Sequence, residues 1–436
     1  MVYLPHWPIP STLGKRQIDY ETVFERMSLV LEKLKNPHKK LPPIIHIAGT
    51  NGKGSATALL GKIFTCSGYK THIYTSPHLH DCNERIVLLG EKISDSFLFE
   101  IMEEVRLAAC DVPLTFMESF TIGAFLAFSK IPADVVVVEC GMGGRIDATN
   151  ILEEKLATLI MPISFDHTQY LGNSIERIAL EKAMILRSKT PLIVAPQPQA
   201  AKEIIKILAQ DQQVPTYFYD EDFEILLNEK SGEFDLRFQN FILKNIPKPA
   251  LLGDHQYVNF ATAIAAIMAI GDKFQISEES IKAAISSVFW PSRLEKITNG
   301  LNKFLKNSES EIFIDGAHNV AGAFALRQFI LEEKSKKTFV ICGFSRGKCK
   351  KEFLEKFKDV AEVIAVRVDG EPYPESVETI SEIGRSVGMK VYAAQDLVDA
   401  VDYAAKISGE SVCKIIICGS LHLARDVKKY NPHNLR

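Results

Sequence analysis

The chain has 436 residues, 46% hydrophobic and 24% charged, and its 51 basic against 54 acidic side chains give a formal net charge of -3. That length sets a prior of two to three domains with room for real cores, and the composition is that of a soluble globular protein. The near-neutral balance argues against nucleic acid as a main partner, and no apolar run approaches the roughly 20 residues that span a bilayer.

Eight cysteines (66, 82, 110, 140, 342, 349, 413, 418) form no Cys-x-x-Cys pair and stand mostly in apolar contexts such as Val138-Glu-Cys140. They read as reduced core thiols rather than zinc ligands or disulfides. Met1 to Pro8 has neither the basic flank nor the apolar core of a signal peptide, so a cytoplasmic location is expected.

In chain order, Arg16 to Lys35 carries Val23, Met27, Val30, Leu31 and Leu34 at helical spacing and stops at Asn36-Pro37. Ile44, Ile45 and Ile47 predict a buried strand. It runs into Gly49-Thr-Asn-Gly-Lys-Gly-Ser55, and Ala56 to Cys66 continues as a helix. Strand, glycine-rich loop and helix together suit a phosphate: backbone N–H groups around Asn51, Gly52, Lys53, Gly54 and Ser55 can cradle its oxygens, Lys53 adds a charge, and the Ser55 hydroxyl can face a magnesium ion. The spacing is not the standard one, since Ile stands at 47 and Gly54 separates Lys53 from Ser55. A glycine-rich turn with a solvated lysine is the competing reading of the loop alone.

Lys70 to Thr75 predicts a strand that ends at Ser76-Pro77-His78, followed by Asn83-Glu84-Arg85-Ile86, and helices are expected over 97–110 and 117–130. Ala133 to Glu139 is a β-branched run of the kind buried on both faces of a parallel sheet, and it finishes in a carboxylate. Ala157 to Ile163 is a further strand, ending in Ser164-Phe-Asp166-His167. Polar groups at three successive strand ends suggest a metal and phosphate site at the carboxyl edge of a sheet. The helix from Ser174 to Arg187 places Lys182 among apolar residues, where a lysine ordinarily snorkels outward.

Residues 191–195 continue the parallel pattern, 215–245 predict short antiparallel strands around a turn at 230–232, residues 251–256 open a long alanine-rich helix through Asn259 to Ile270, and another helix follows over roughly 277–288. Trp290-Pro291 marks a boundary. Strands at 312–314, 338–342, 360–366, 390–393 and 414–417, with helices between them, form a second α/β unit whose strand ends carry Asp315-Gly-Ala-His318-Asn319, Gly343 to Arg346 and Gly419-Ser420.

Gly49 to Ser55, Thr75-Ser-Pro-His78, Glu139-x-Gly-x-Gly-Gly-Arg-x-Asp-Ala-Thr-Asn150, Asp166-His167, Glu181-Lys-Ala183, Gly253-x-His-Gln256, Ser292-Arg-Leu-Glu295 and Asp315 to Asn319 occur in the order found in the folylpolyglutamate synthase and dihydrofolate synthase family, which the chain resembles over about residues 15 to 425. These are ATP-dependent Mur-type amide ligases. The resemblance implies an α/β fold: an N-terminal ATP-binding domain of the phosphate-loop type with a mostly parallel sheet (1–290), and a smaller C-terminal Rossmann-like domain (291–436), with the active site in the cleft between them. It implies ATP contacts at Asn51, Gly52, Lys53, Gly54, Asn259, Arg293 and Asp315, and magnesium ligation by Ser76, Glu139 and His167. Lys182 matches a lysine that is carbamylated in the family and could hold a second magnesium. Phe116, Met117, Glu118 and Ser119, with Ile146, Asp147 and Ala148, match the pterin-binding region, and His318 and Ser420 are candidates for the incoming glutamate. Ser292 departs from the usual glycine, Met184 from a common glycine and Val320 from a frequent proline.

The implied reaction is attack of a pteroate or folate carboxylate on the γ-phosphate of ATP, followed by capture of the acyl phosphate by the amine of L-glutamate. Dihydropteroate and reduced folates both stand as acceptors. A Mur-type ligase for a non-folate carboxylate and a nucleotide-gated binding protein without turnover are the alternatives. Only small-molecule partners are expected, and a monomer.

Overall fold

The computed structural model describes residues 20–333, 336–346, 350–369, 371 and 373–430. The N-terminal segment before them, including the 16–19 start of the first expected helix, and Cys349 lie outside the described residues. The chain divides into two compact units: one runs to Ala250 and includes Tyr257–Val288, and the other takes Leu251–Gln256 and everything from Phe289. A single boundary at Trp290 would keep 251–256 with the first domain. Leu252 packs instead on the core of the second unit, and Gly253 lies close to Leu294.

In the first unit the strands are β1 (Ile44–Ala48), β2 (Thr71–Tyr74), β3 (Ile86–Leu88), β4 (Glu91–Lys92), β5 (Val135–Glu139), β6 (Ala157–Ile160), β7 (Leu192–Val194) and β8 (Thr216–Phe218). They form one sheet in the order β4-β3-β2-β5-β1-β6-β7-β8, parallel from β2 to β8, with β3 and β4 added antiparallel at one edge. β8 corrects the expectation of an antiparallel strand over 215–218, because it pairs parallel with β7. The antiparallel part is a separate meander of β9 (Phe223–Leu227), β10 (Phe234–Phe238) and β11 (Phe241–Ile246). Every residue of β1 and β5 is buried, as expected of central strands covered on both faces.

The helices of this unit are α1 (Val23–Lys33), α2 (Lys53–Cys66), α3 (Asp95–Ala109), α4 (Phe116–Lys130), α5 (Thr168–Leu171), α6 (Ile175–Ala183), α7 (Gln199–Asp211), α8 (His255–Ile270, split between the units) and α9 (Glu278–Ser287). Val23, Met27, Val30 and Leu31 of α1 join Phe120 and Phe125 of α4, Ile101 of α3 and Val136 and Val138 of β5 in one core. A second core sets Ile178 and Ala179 of α6 and Ile205 of α7 against Ile160, Leu192 and Val194.

Register fixes the functional edge. β1 lies between β5 and β6, pairing Ile47 with Glu139 and Ala48 with Ile160, while Tyr74 of β2 pairs with Val138. The strands therefore end together, and β1 connects to one side while β6 lies on the other. Such a switch point opens a crevice at the carboxyl edge.

In the second unit β12 (Glu295–Ile297), β13 (Glu311–Ile314), β14 (Lys337–Cys342), β15 (Glu362–Ala365), β16 (Val391–Ala393) and β17 (Cys413–Cys418) give the order β12-β13-β17-β14-β15-β16, parallel except for β12. α10 (Val320–Leu331), α11 (Lys350–Glu355), α12 (Val377–Ser386), α13 (Leu397–Ser408) and α14 (Leu421–Lys428) connect them. β12 is too short to be read from the sequence. Among the described residues no helix is long and apolar enough to cross a membrane.

One buried ion pair ties α1 to α4. Arg26 Nε and Nη2 donate to Glu118 Oε2 and Oε1 at 3.1 and 2.8 Å, and Glu118 Oε2 also accepts from the Thr115 amide as half of a capping box. Glu118→Gln leaves the buried guanidinium without its counter-charge, and urea unfolding is expected to show a loss of about 3 kcal/mol. The double replacement Arg26→Met with Glu118→Leu should recover most of that loss.

Candidate functional site

The phosphate loop is set by two glycines with positive φ, Gly49 at 145° and Gly52 at 83°. A Cβ on Gly49 would lie 2.6 Å from Met161 Cβ, so only glycine lets the chain leave β1 beside β6. The loop is laced to the segment after β6: the Thr50 and Asn51 amides donate to Pro162 O at 3.0 and 3.3 Å, and Thr50 Oγ1 donates to Ser164 O at 3.1 Å. Asn51 thus spends its amide on the scaffold. Ala56 N donates the first bond back to Gly52 O, which leaves the amides of Lys53, Gly54 and Ser55 outside the helical ladder of α2 and available to an anion. Asn259, buried on α8, seats against Gly52, where an added Cβ would come within 2.9 Å of Asn259 Cγ.

Two lysines converge on this loop. Lys53 Nζ donates to Gly49 O at 3.2 Å and to Thr50 O at 3.3 Å, and stands 3.9 Å from Glu139 Oε1. Lys182 Nζ donates to the same Gly49 O at 2.9 Å. The amphipathic pattern of α6 suggested an outward lysine, but Lys182 is only 4% exposed. Burial, with the like charge of Lys53 second, pushes its pKa down to about 7.

The Ser55 and Ser76 hydroxyls are buried and, among the described residues, have no hydrogen-bond partner. Buried orphan hydroxyls are rare and call for a missing partner. With the buried carboxylate of Glu139 they make a hard-oxygen set suited to a divalent cation that also takes phosphate oxygens and water. Among the described residues no three His, Cys, Asp or Glu side chains gather to hold a metal by themselves, so such an ion would depend on those hydroxyls and on ligand oxygens. His167, in the left-handed region at φ 49°, precedes α5 without a side-chain cap; its imidazole is 42% exposed and 3.9 Å from Asp166 Oδ2.

The segment after β5 shapes the other wall. Gly144 lies so close to α6 that a Cβ would be 2.6 Å from Glu181 O, and Arg145 binds Glu181 through Nε at 2.9 Å. Asp147 is a loop organiser. Its Oδ2 accepts from Met142 N at 2.8 Å, and its Oδ1 accepts from both the amide and the hydroxyl of Thr149. Ala148 is buried and Ile146 packs on the α1–α4 core. Gly141 sits at the junction, its would-be Cβ 3.1 Å from Met117 Cε, 3.2 Å from Asp147 Oδ2 and 3.5 Å from Ser76 Oγ.

Of the four expected pterin-region residues on α4, Phe116 and Met117 are part-exposed. Glu118 and Ser119 are corrected to structural roles. Both Glu118 oxygens are taken by Arg26, and Ser119 Oγ, fully buried, donates to Thr115 O at 2.8 Å. Arg85 was not among the expected site residues. Its guanidinium contacts Met117 Sδ at 3.2 Å and lies 5.3 Å from the Phe116 ring centre.

The second unit gathers Arg293, Asp315, His318 and Ser420 at its own carboxyl edge. Asp315 accepts from Leu294 N at 2.9 Å and from Ala317 N at 2.8 Å, and Ser292 O receives both Gly316 N and Arg293 Nη1. His318 Nδ1 lies 2.8 Å from Gly316 O, and Ser420 caps α14 by accepting from His422 N at 3.1 Å. Ser292 has φ 56°, which explains why a glycine suits that position. Val320 is the first residue of α10, where a proline fits equally well, and Met184 has ordinary dihedrals.

Residues 47–267 match the family model for the Mur ligase middle domain, and residues 298–430 match that for the dihydrofolate synthetase C-terminal domain. A curated dihydrofolate synthase/folylpolyglutamate synthase from Mycobacterium tuberculosis is 31% identical, with 90% of this chain and 84% of the relative covered. The solved M. tuberculosis folylpolyglutamate synthase complexed with ADP superposes with a TM-score of 0.87 at 28% identity, covering 97% of each chain. The Yersinia pestis bifunctional folylpolyglutamate synthase/dihydrofolate synthase with Mn, AMPPNP and L-glutamate bound gives 0.80 at 25% identity over 93% of each chain. With matches that run through both units, this chain belongs to the folylpolyglutamate synthase and dihydrofolate synthase family of Mur-type ligases.

Proposed function

We propose that this protein is an ATP-dependent ligase that joins L-glutamate to the carboxylate of dihydropteroate, of reduced folates, or of both. The observation that carries this is the alignment of strand ends that sets Glu139 3.9 Å from Lys53 beside a glycine-rich helix start, with the Ser55 and Ser76 hydroxyls buried and unpartnered. An acid and an amine do not condense in water without activation. Attack of the acceptor carboxylate oxygen on the γ-phosphorus breaks the bond to ADP and gives an acyl phosphate. The glutamate nitrogen then attacks the acyl carbon, the C–O bond to phosphate breaks, and the ammonium proton leaves to solvent.

The loop amides of Lys53, Gly54 and Ser55 would bind the phosphate chain, and Lys53 would offset charge on the transferred group. A divalent ion held by Ser55, Ser76 and Glu139, with His167 at the rim, supplies further screening of that charge when bound. Lys182, with its pKa pushed down to about 7, is about half uncharged near neutral pH, and the uncharged amine is the form that reacts with carbon dioxide. Its carbamate would be an anion between two cationic demands, Lys53 and a second metal ion. Asn259, Arg293 and Asp315 are the further nucleotide contacts on this reading. Phe116, Met117, Ile146 and the Asp147 loop would line the pterin. His318 and Ser420 remain the assignments for glutamate.

The direct test is incorporation of labelled L-glutamate, with ATP and Mg²⁺, into 7,8-dihydropteroate and separately into a reduced monoglutamyl folate. Activity on either supports the reading and names the branch, whereas inactivity on both with ADP still bound overturns it. Glu139→Gln is expected to cut turnover at least about 100-fold while keeping its fold, as read by steady-state kinetics and circular dichroism.

Gly52→Ala combines φ 83° with a collision at Asn259 and should abolish measurable ATP binding in calorimetry. Gly68→Ala has almost the same φ, 84°, but open space around it, and should cost only about 1 kcal/mol of stability with normal nucleotide affinity.

For Lys182 the folded pKa of about 7 lies below the ordinary value, so the unfolded chain binds more protons between about 7 and 10.4. In carbon dioxide-free buffer without metal, stability relative to Lys182→Met should therefore rise across that window, as measured by urea unfolding at pH 7 and pH 9.5. With ¹³C-bicarbonate present, a carbamate carbon signal should appear in the wild type and be missing from Lys182→Met.

A further inference from the structure

Arg85 is 5% exposed, yet among the described residues its guanidinium has no carboxylate partner. Nε donates to His78 Nδ1 at 2.8 Å and Nη1 points at Met117 Sδ at 3.2 Å, a weak acceptor, while the rings of Phe116 and Phe120 lie 5.3 and 6.0 Å away. The acid beside it in sequence is already committed, for both Glu84 oxygens accept from the Leu79, His80 and Asp81 amides. Tyr74, whose hydroxyl is 3.0 Å from Thr121 Oγ1, hydrogen-bonds to Arg85 only as a neutral group, and Glu139, the acid whose charge acts on Arg85, is also engaged by Lys53 at 3.9 Å. Burial depresses the pKa of Arg85, which is the direction expected of a cation short of counter-charge. A buried cation in this condition is costly to keep, and its retention points to an anion that arrives with a ligand.

Its position says which anion. Met117 touches the guanidinium on one side, and on the other it closes on Gly141, around which Ser76 and Asp147 gather. Gly141 follows Glu139 by two residues, and Glu139 reaches Lys53 at 3.9 Å. Arg85 therefore stands where the aromatic pocket of α4 meets the phosphate end of the site. Dihydropteroate has one negative group at the end remote from its ring, a monoglutamyl folate has two there, and the reacting carboxylate must travel from the aromatic pocket toward the γ-phosphate.

We propose that Arg85 binds the acceptor carboxylate and holds it for in-line attack, offsetting the repulsion between that carboxylate and the phosphate chain. This rests on the glutamate-ligation reading and names the residue that selects its acceptor. The planar fork matches a carboxylate in a way that an ammonium does not, so Arg85→Lys should retain only part of the effect.

The test compares binding of dihydropteroate with that of its analogue lacking the carboxyl group, on protein saturated with AMPPNP. The wild type is expected to prefer dihydropteroate by about 10- to 100-fold, the range for a hydrogen bond to a charged group. Arg85→Gln should bind the two equally, with AMPPNP affinity unchanged and the KM for dihydropteroate raised by a similar factor. A purely structural Arg85 would weaken both ligands alike and keep the preference, which would overturn the proposal. If Arg85→Gln does not fold, Arg85→Lys is scored by the same ratio, and a ratio unchanged from the wild type likewise overturns the proposal. A wild type that binds AMPPNP but neither pterin overturns the ligation reading itself, and with it this assignment; a wild type that binds both pterins equally overturns the role of Arg85 alone.

Discussion

One carbonyl oxygen, that of Gly49, accepts hydrogen bonds from both Lys53 and Lys182. Two ammonium groups on one acceptor in a buried place repel each other, and the local structure answers by discharging one of them: Lys182 sits near its midpoint at neutral pH while Lys53 keeps the contact with Glu139. The arrangement is electrostatically incomplete as it stands. It is completed by anions, and the free amides at the start of α2 and the orphan hydroxyls of Ser55 and Ser76 face the same need. Polyphosphate with its metal, and a carbamate on Lys182, are the anions that the proposed chemistry brings.

Beneath this charged layer the scaffold is neutral and tightly bonded. His46 of β1 lies 2.8 Å from Thr149 Oγ1 and 3.0 Å from Cys140 Sγ, and Thr149 in turn holds Asp147. Burial, with Lys155 and Arg187 nearby, keeps His46 uncharged, and burial pushes the Cys140 thiol up to about 12. A neutral imidazole can serve Thr149 without adding a third cation under the loop, and a thiol held that high stays protonated and inert. The loop that carries Asp147 is thus fixed from below by β1, the strand that also delivers the phosphate loop, so the two walls of the site share one support.

Much of this was legible in the sequence because it follows from period and punctuation. The uninterrupted run Val135–Val138 announces a central parallel strand, and the strand-end positions of Ser76 and Glu139 place them at the edge where ligands bind. What was not legible depends on which partner each side chain finds. Glu118 follows Met117 directly in the pterin-region motif, yet Arg26, 92 residues earlier, claims it. Lys182 has the spacing of a surface lysine and became buried because Gly144 lets the loop after β5 close on α6. Thr216–Phe218 has the same β-branched and aromatic character as the meander that follows it, and only the vacant edge beside β7 decides that it joins the larger sheet.

Departures from the family pattern sort by backbone geometry. Proline is preadapted to the first turn of a helix, but nothing at Val320 requires it, since Asn319 already caps α10 by accepting from Gly322 N at 2.9 Å. Ser292 is different, for its φ of 56° lies where a side chain is strained, and Leu294 two residues on has φ 46°. Two left-handed residues flanking Arg293 persist only because the surroundings over-determine them: Ser292 N donates to Glu295 Oε2 at 2.9 Å, Leu294 N to Asp315 Oδ2 at 2.9 Å, and Ser292 O receives Gly316 N. Arg293 is therefore presented by a turn whose strain is balanced by Asp315. Asp315 consequently has both oxygens engaged by backbone amides before any nucleotide arrives, so its contribution to ligand binding is first of all to keep the Arg293 turn in shape.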